Sequence, residues 1–135
     1  MGKWYRMQKQ VMLAAMLLCS LDGAYSSHHP QDFLNNVRGQ HDEGMQIAQH
    51  FCANCHAAKP LIPVGAPRMG IDADWSPRIK QGLAAIVQHT EEGMNAMPPR
   101  GGCFECSDKQ LLLAILALMP EKEQRRLNKM LKELN

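Results

Sequence analysis

The chain has 135 residues, enough for one domain and too few for a second full core. Aromatic residues make up 5% of it, and a small domain so short of large apolar side chains commonly relies on a staple or a cofactor. Lys and Arg number 15 against 13 Asp and Glu, a balance that offers no electrostatic footprint for nucleic acid.

Residues 1–26 have the layout of a secretory signal peptide. Lys3, Arg6 and Lys9 precede an eleven-residue apolar run, VMLAAMLLCSL, and Ala24-Tyr25-Ser26 supplies small residues at both specificity positions of a cleavage site. The run falls short of the roughly 20 residues that span a bilayer, so export with cleavage is expected, and an uncleaved tether is the alternative. Removing the segment leaves 12 basic and 12 acidic residues and four cysteines: Cys52, Cys55, Cys103 and Cys106. In an oxidising compartment all four should be covalently committed.

Residues 27–39 show no periodicity and read as a linker, with His28 and His29 in a solvated tail. A first helix is predicted from Asp42 into Cys55, with Gly44, Ile47, Ala48 and Phe51 on one stripe. Five Pro and Gly residues between Lys59 and Gly70 impose an irregular loop. A second helix is predicted from Trp75-Ser76-Pro77, capped by Ser76, to about Glu92-Gly93, with Ile79, Leu83, Ile86 and Val87 inward. After the turn region MNAMPPRGGCFEC, a third helix is predicted from Asp108 to Met119, capped by Ser107 and broken by Pro120. Residues 120–135 carry Leu127, Leu131 and Leu134 on one side and read as a loosely packed helical extension. The reading is all-α, with a domain over residues 40–119.

Within that domain, Cys52-Ala53-Asn54-Cys55-His56 is a C-x-x-C-H motif, which in an exported protein indicates attachment of a c-type haem. Two thiols one helical turn apart suit two vinyl groups along one porphyrin edge, and the following imidazole is aimed at the iron. Two C-x-x-C pairs also suit a four-thiolate zinc ribbon, but 47 residues separate the pairs where roughly 15–20 is usual. For the sixth iron position the candidates are Met69, Met94, Met97, Met119 and His89. Met97 is favoured because Pro98 and Pro99 would hold its thioether rigidly, whereas Met119 lies on the apolar face of the third helix and reads as core. Cys103 and Cys106 then have only each other as partners, as a disulfide; a catalytic dithiol is the alternative.

CANCH, GAP, DWSPRI, NAMPPRGGC and CSDKQL, in this order, resemble the cytochrome c5 family of bacterial monohaem class I cytochromes c, over roughly Asp42 to Met119. The resemblance implies the class I fold, three to five helices with long loops around one covalently attached haem c. It implies Cys52 and Cys55 as thioether links, His56 and Met97 as axial ligands, and Cys103–Cys106 as a bridge. It further implies that the Pro67 carbonyl accepts the other N–H of His56, and it puts Trp75 and Arg78 near the haem edge and propionates; plain core packing is the competing role for Trp75. One departure concerns the helix crossing, which in class I cytochromes pairs a glycine with an aromatic four residues on. Here Gly44 is followed by Ala48, so Ile47 or Phe51 is expected to fill the space.

The expected function is an exported, periplasmic one-electron carrier, monomeric or weakly dimeric and not an enzyme. Its expected partners are redox proteins: a membrane cytochrome complex, a terminal oxidase or a reductase. Electrons are expected to cross the haem edge near Cys52 and Cys55, ringed by Leu61, Ile62, Val64 and Met69. A haem enzyme or gas sensor with a labile Met ligand is the runner-up, ahead of the zinc module.

Overall fold

The computed structural model of the chain describes residues 29–133. The expected signal segment 1–26, together with His28 and Leu134, lies outside the described residues. The elements in chain order are α1 (Pro30–Val37), α2 (Glu43–Ile47), a π-turn (Ala48–Cys52), α3 (Ala53–His56), α4 (Asp72–Ile79), α5 (Leu83–Glu92), a 3-10 turn (Pro99–Gly102), α6 (Asp108–Leu118) and α7 (Glu121–Glu133). No strand is present among the described residues, so the fold is all-α, as expected.

The core is the meeting of α2 with α6. Leu111, Ala114, Ile115 and Leu118 of α6 are buried with Ile47 and Ala48. An alanine Cβ at Gly44 would stand 2.4 Å from the Leu113 carbonyl oxygen, so the two backbones meet at a distance only glycine permits. Ile47, 1% exposed, fills the space beside this crossing, while Phe51 turns partly toward the cavity described below. The first helix does run from Glu43 to His56, but through one wide turn: Ala48 to Cys52 are π-helical. Such an insertion rotates everything after it relative to an ideal helix, and the first residues after it are those of the cysteine–histidine motif.

Three sequence expectations are corrected here. Residues 30–37 are a helix, α1, and not linker: Pro30 starts it, and Leu34 and Val37 are buried at 0% and 3% exposure. The buried Gln110 side chain donates to the Leu34 carbonyl at 3.1 Å, so α1 is fastened to the start of α6. Eight residues with a single i, i+3 apolar pair are too few to register as periodic. The second helix is two. It begins at Asp72, with Ser76 inside it donating Oγ–H to the Asp72 carbonyl and Pro77 inside it too. It ends before Gly82, whose φ of 93° breaks the chain direction and starts α5. The apolar face survives the break, since Ile86 is buried and Ile79, Leu83 and Val87 pack on the core. The C-terminal extension is docked, not loose: Leu127 is 7% exposed, Leu131 packs against the core, and Gln124 Nε2 donates to the Met119 carbonyl at 2.7 Å, closing the end of α6.

The start of α6 follows its sequence signal. Ser107 accepts from the Gln110 amide and its own amide donates to Gln110 Oε1, a reciprocal cap. The helix runs to Leu118, and Met119 is fully buried as a core residue.

Candidate functional site

A cavity of about 390 Å³ opens between the cysteine–histidine helix, α5, the turn region after it and α6, in the size range of small-molecule and cofactor sites. Its walls are largely apolar, with Phe51, Ile86, Leu111, Ile115 and Leu118 contributing. Cys52, Cys55, His56, Pro67, Trp75, Arg78 and Met97 all line it, whereas the Cys103–Cys106 pair lies outside it.

The imidazole wall is built on buried structure. His56 closes α3, is 7% exposed, and its Nδ1–H donates to the Pro67 carbonyl at 2.8 Å. A carbonyl only accepts, so Nδ1 carries a proton, and in the neutral ring Nε2 is the nitrogen with the free lone pair. The loop that carries Pro67 is anchored at three places: Ile62 N–H to the Asn54 carbonyl at 2.9 Å, Met69 N–H to the His56 carbonyl at 2.6 Å, and Gly70 N–H to the Leu118 carbonyl at 3.0 Å. Arg68 forms a two-pronged ion pair with Asp74, whose carboxyl is held at about 2 by the Arg68 guanidinium and, next, by the Arg68 backbone N–H.

Trp75 is both packed in the core and part of the cavity wall. It is 3% exposed, its Nε1–H donates to the Arg68 carbonyl at 2.9 Å, and it lines the cavity. Arg78 lines the cavity as well, held by a hydrogen bond from Nη1 to the Asp74 carbonyl at 2.6 Å.

The methionine wall is built from turns. Met94 and Met97 exchange both backbone hydrogen bonds, at 3.1 and 2.9 Å, around Asn95 at φ 53°. Gly93 precedes them at φ 83°, and an alanine Cβ there would stand 2.8 Å from the Met97 carbonyl oxygen and 2.9 Å from the Pro99 nitrogen. After Pro98 and Pro99, residues 100, 101 and 102 all take left-handed φ angles, 57°, 60° and 85°. Cys103 and Cys106 follow, joined Sγ to Sγ and buried. Of the five candidates for a sixth ligand, Met94, Met97 and His89 line the cavity, and Met69 and Met119 do not. Met94 is 42% exposed, while Met97 is half-buried.

The pairing of the cysteines separates the two uses of the thiols. Cys52 and Cys55 are free, and burial, helped by neighbouring Cys55, pushes the Cys52 thiol up to about 11. With Cys103 and Cys106 consumed in a disulfide, the four-thiolate zinc reading fails. Among the described residues no three His, Cys, Asp or Glu side chains converge. A haem suits the same residues: two free thiols one turn apart, an imidazole with one fixed tautomer, a thioether and apolar walls. Sequence reasoning missed Thr90, Asn95 and Arg100 in these walls; only the position of Asn95 and Arg100 beside Met97 hinted at them. It also misjudged Met69, which packs against the core, whereas Leu61, Ile62 and Val64 are exposed at 83%, 49% and 45%.

Residues 39–115 match the family described as "Cytochrome C oxidase, cbb3-type, subunit III". Cytochrome c5 of Azotobacter vinelandii is 38% identical over 74 residues, 53% of this chain and 86% of that protein. Cytochrome c5 of Ectopseudomonas mendocina is 45% identical over 71 residues, 51% of this chain and 77% of that one. Cytochrome c-555 of Prosthecochloris aestuarii is 33% identical over 86 residues, 58% and 84% of the two chains. A chain from the crystal structure of an electron transfer complex of nitrite reductase with cytochrome c superposes with a TM-score of 0.50 at 30% identity, covering 56% of this chain and 89% of that one. With its helical fold and its thiol–imidazole cavity, the chain belongs to the cytochrome c family, in its cytochrome c5 group, and is a haem electron carrier with covalently bound haem c.

Proposed function

We propose that this chain is an exported monohaem carrier in which Cys52 and Cys55 hold the haem by thioethers and His56 and Met97 ligate its iron. The observation that carries the reading is the hydrogen bond from His56 Nδ1–H to the Pro67 carbonyl. It fixes the ring in the tautomer whose Nε2 lone pair serves a metal, and it raises the basicity of that nitrogen.

When bound, the haem supplies one-electron chemistry at its iron, and His/Met ligation favours the reduced state. The chain's own residues do the rest. Pro67 holds the imidazole, the Met94–Met97 turn holds the thioether, and Leu111, Ile115 and Leu118 exclude water from the faces between them. The Cys103–Cys106 bridge fastens the methionine turn to α6, a structural role. Trp75 and Arg78, which line the same cavity, would stand on the propionate side. If His56 and Met97 both hold the iron, no position would be left for a substrate, which favours a carrier over an enzyme or gas sensor.

Electrons cross at the edge beside Cys52 and Cys55, where Leu61, Ile62 and Val64 offer an apolar surface to a redox partner. A membrane cytochrome complex, a terminal oxidase or a reductase fits that role, in the periplasm, with residues 1–26 as the export signal, 40–119 as the haem domain and 120–135 as the C-terminal extension. The test is peptide mass spectrometry of protein expressed with the full leader. One haem on the peptide containing Cys52 and Cys55, in a periplasmic chain lacking residues 1–26, is the expected result. Haem that dissociates on a denaturing gel, or Cys52→Ser/Cys55→Ser protein that still holds it covalently, overturns the attachment.

A further inference from the structure

Arg100 stands where the turn chemistry asks for glycine. Its φ of 57° is the left-handed region that side chains disfavour, and the next two residues in the same region are glycines. What holds an arginine there is its guanidinium. Nη2 donates to the Cys106 carbonyl at 2.7 Å and to Asp108 Oδ1 at 3.1 Å. The backbone adds a second tie, since the Cys103 N–H donates to the Arg100 carbonyl at 3.1 Å. One side chain therefore joins the methionine turn, the disulfide turn and the first residue of α6.

That does not saturate the group. Arg100 Nε is buried and has no hydrogen-bond partner among the described residues, and Arg100 lines the cavity. Its ion-pair partner is far more open to water: the Asp108 side chain is 84% exposed against 23% for Arg100. Solvent screens the carboxylate more than the guanidinium, so the pair does not cancel toward the cavity side.

We propose that Arg100 is a positioning residue for Met97, fastening the thioether turn and setting a fixed positive charge in the cavity wall that favours the reduced iron. The proposal rests on the His56/Met97 reading above. The sign follows from charge: oxidation adds one positive charge to the site, and a nearby guanidinium opposes that addition. The two parts are separable, because Lys keeps the charge and loses the planar fork, while Gln loses the charge.

The experiment uses holoprotein, native and with Arg100→Gln, Arg100→Lys or Met97→Ala. It reads the ferrous-to-ferric ratio at a fixed ambient potential and the imidazole concentration that abolishes the ferric iron–thioether band. Arg100→Gln is expected to lower the ratio roughly tenfold, the scale on which one unit charge acts across a pocket at intermediate dielectric. It should also let imidazole displace the thioether at a several-fold lower concentration. Arg100→Lys should keep the ratio within about twofold and still show the easier displacement. If Arg100→Gln leaves both readouts unchanged, or if Arg100→Lys lowers the ratio as far as Gln does, the proposal is wrong. Met97→Ala distinguishes the two failures. If it retains the band, Met97 is not the ligand and both readings fall; if it loses the band while Arg100→Gln changes nothing, only the role of Arg100 is overturned.

Discussion

The two walls that carry His56 and Met97 are built in different ways. His56 sits at the end of a helix inside the core, and one hydrogen bond to a loop carbonyl sets its ring. Met97 sits in a run of turns with almost no regular structure, held by reciprocal backbone bonds, left-handed residues, a disulfide and one arginine. The imidazole wall thus shares the stability of the α2–α6 core, whereas the methionine wall has a local stability of its own. Local opening with little global unfolding is expected on the methionine side.

That contrast can be broken most severely at Gly93. An alanine there meets the Met97 carbonyl oxygen at 2.8 Å and must adopt φ 83°, a strain of about 2–3 kcal/mol. Gly93→Ala is expected to abolish most of the ferric iron–thioether band while haem stays attached and helical circular dichroism is retained. Parallel loss of band and helix content would mean the two walls unfold together. Next comes the bridge: replacing Cys103 and Cys106 by Ser removes a four-residue loop closure worth about 2 kcal/mol. In denaturant this variant should lose the thioether band well before the global transition, and coincident transitions would count against a separately stable turn. Ser107→Ala removes the cap of α6 at a cost of about 1 kcal/mol. Because α6 belongs to the core, that loss should fall on the global denaturation midpoint and leave the gap between the two transitions unchanged.

The smallest effect tests the imidazole wall. Asp74 is held at about 2 against an ordinary 3.8, first by the Arg68 side chain and then by the Arg68 backbone N–H. A carboxyl depressed in the folded state stabilises it above about pH 4, and this contribution is lost as pH falls toward 2. The pair is solvent-exposed and modest. Stability measured from pH 5 to 2 should decline less in Asp74→Asn than in the native chain; equal declines would remove Asp74 from the account.

How much of this was legible beforehand depended on how local each signal was. The cysteine–histidine motif, the Ser107 cap, the irregular loop from 59 to 70 and the buried Met119 were readable because each lies within a few residues. The helix α1 was not, because its identity depends on Leu34 and Val37 reaching a groove made partly by Gln110, 76 residues away. The docking of α7 was hidden for the same reason, since Leu127 has meaning only against the core it meets. The split between α4 and α5 was visible in principle at Gly82, but the continuous apolar face masked it. Arg100 could be located beside Met97 from sequence, but its clamp to Cys106 and Asp108 required the fold of the turn.

The central claim is that Met97, and not its neighbour, completes the iron site. Both methionines line the same cavity three residues apart, so the ferric absorption spectra of the native protein, Met97→Ala and Met94→Ala decide between them. The account predicts a weak far-red iron–thioether band in the native protein, present in Met94→Ala and absent in Met97→Ala. A native protein that lacks the band and binds carbon monoxide readily, or a Met97→Ala protein that keeps it, would contradict the closed, two-ligand electron-transfer site.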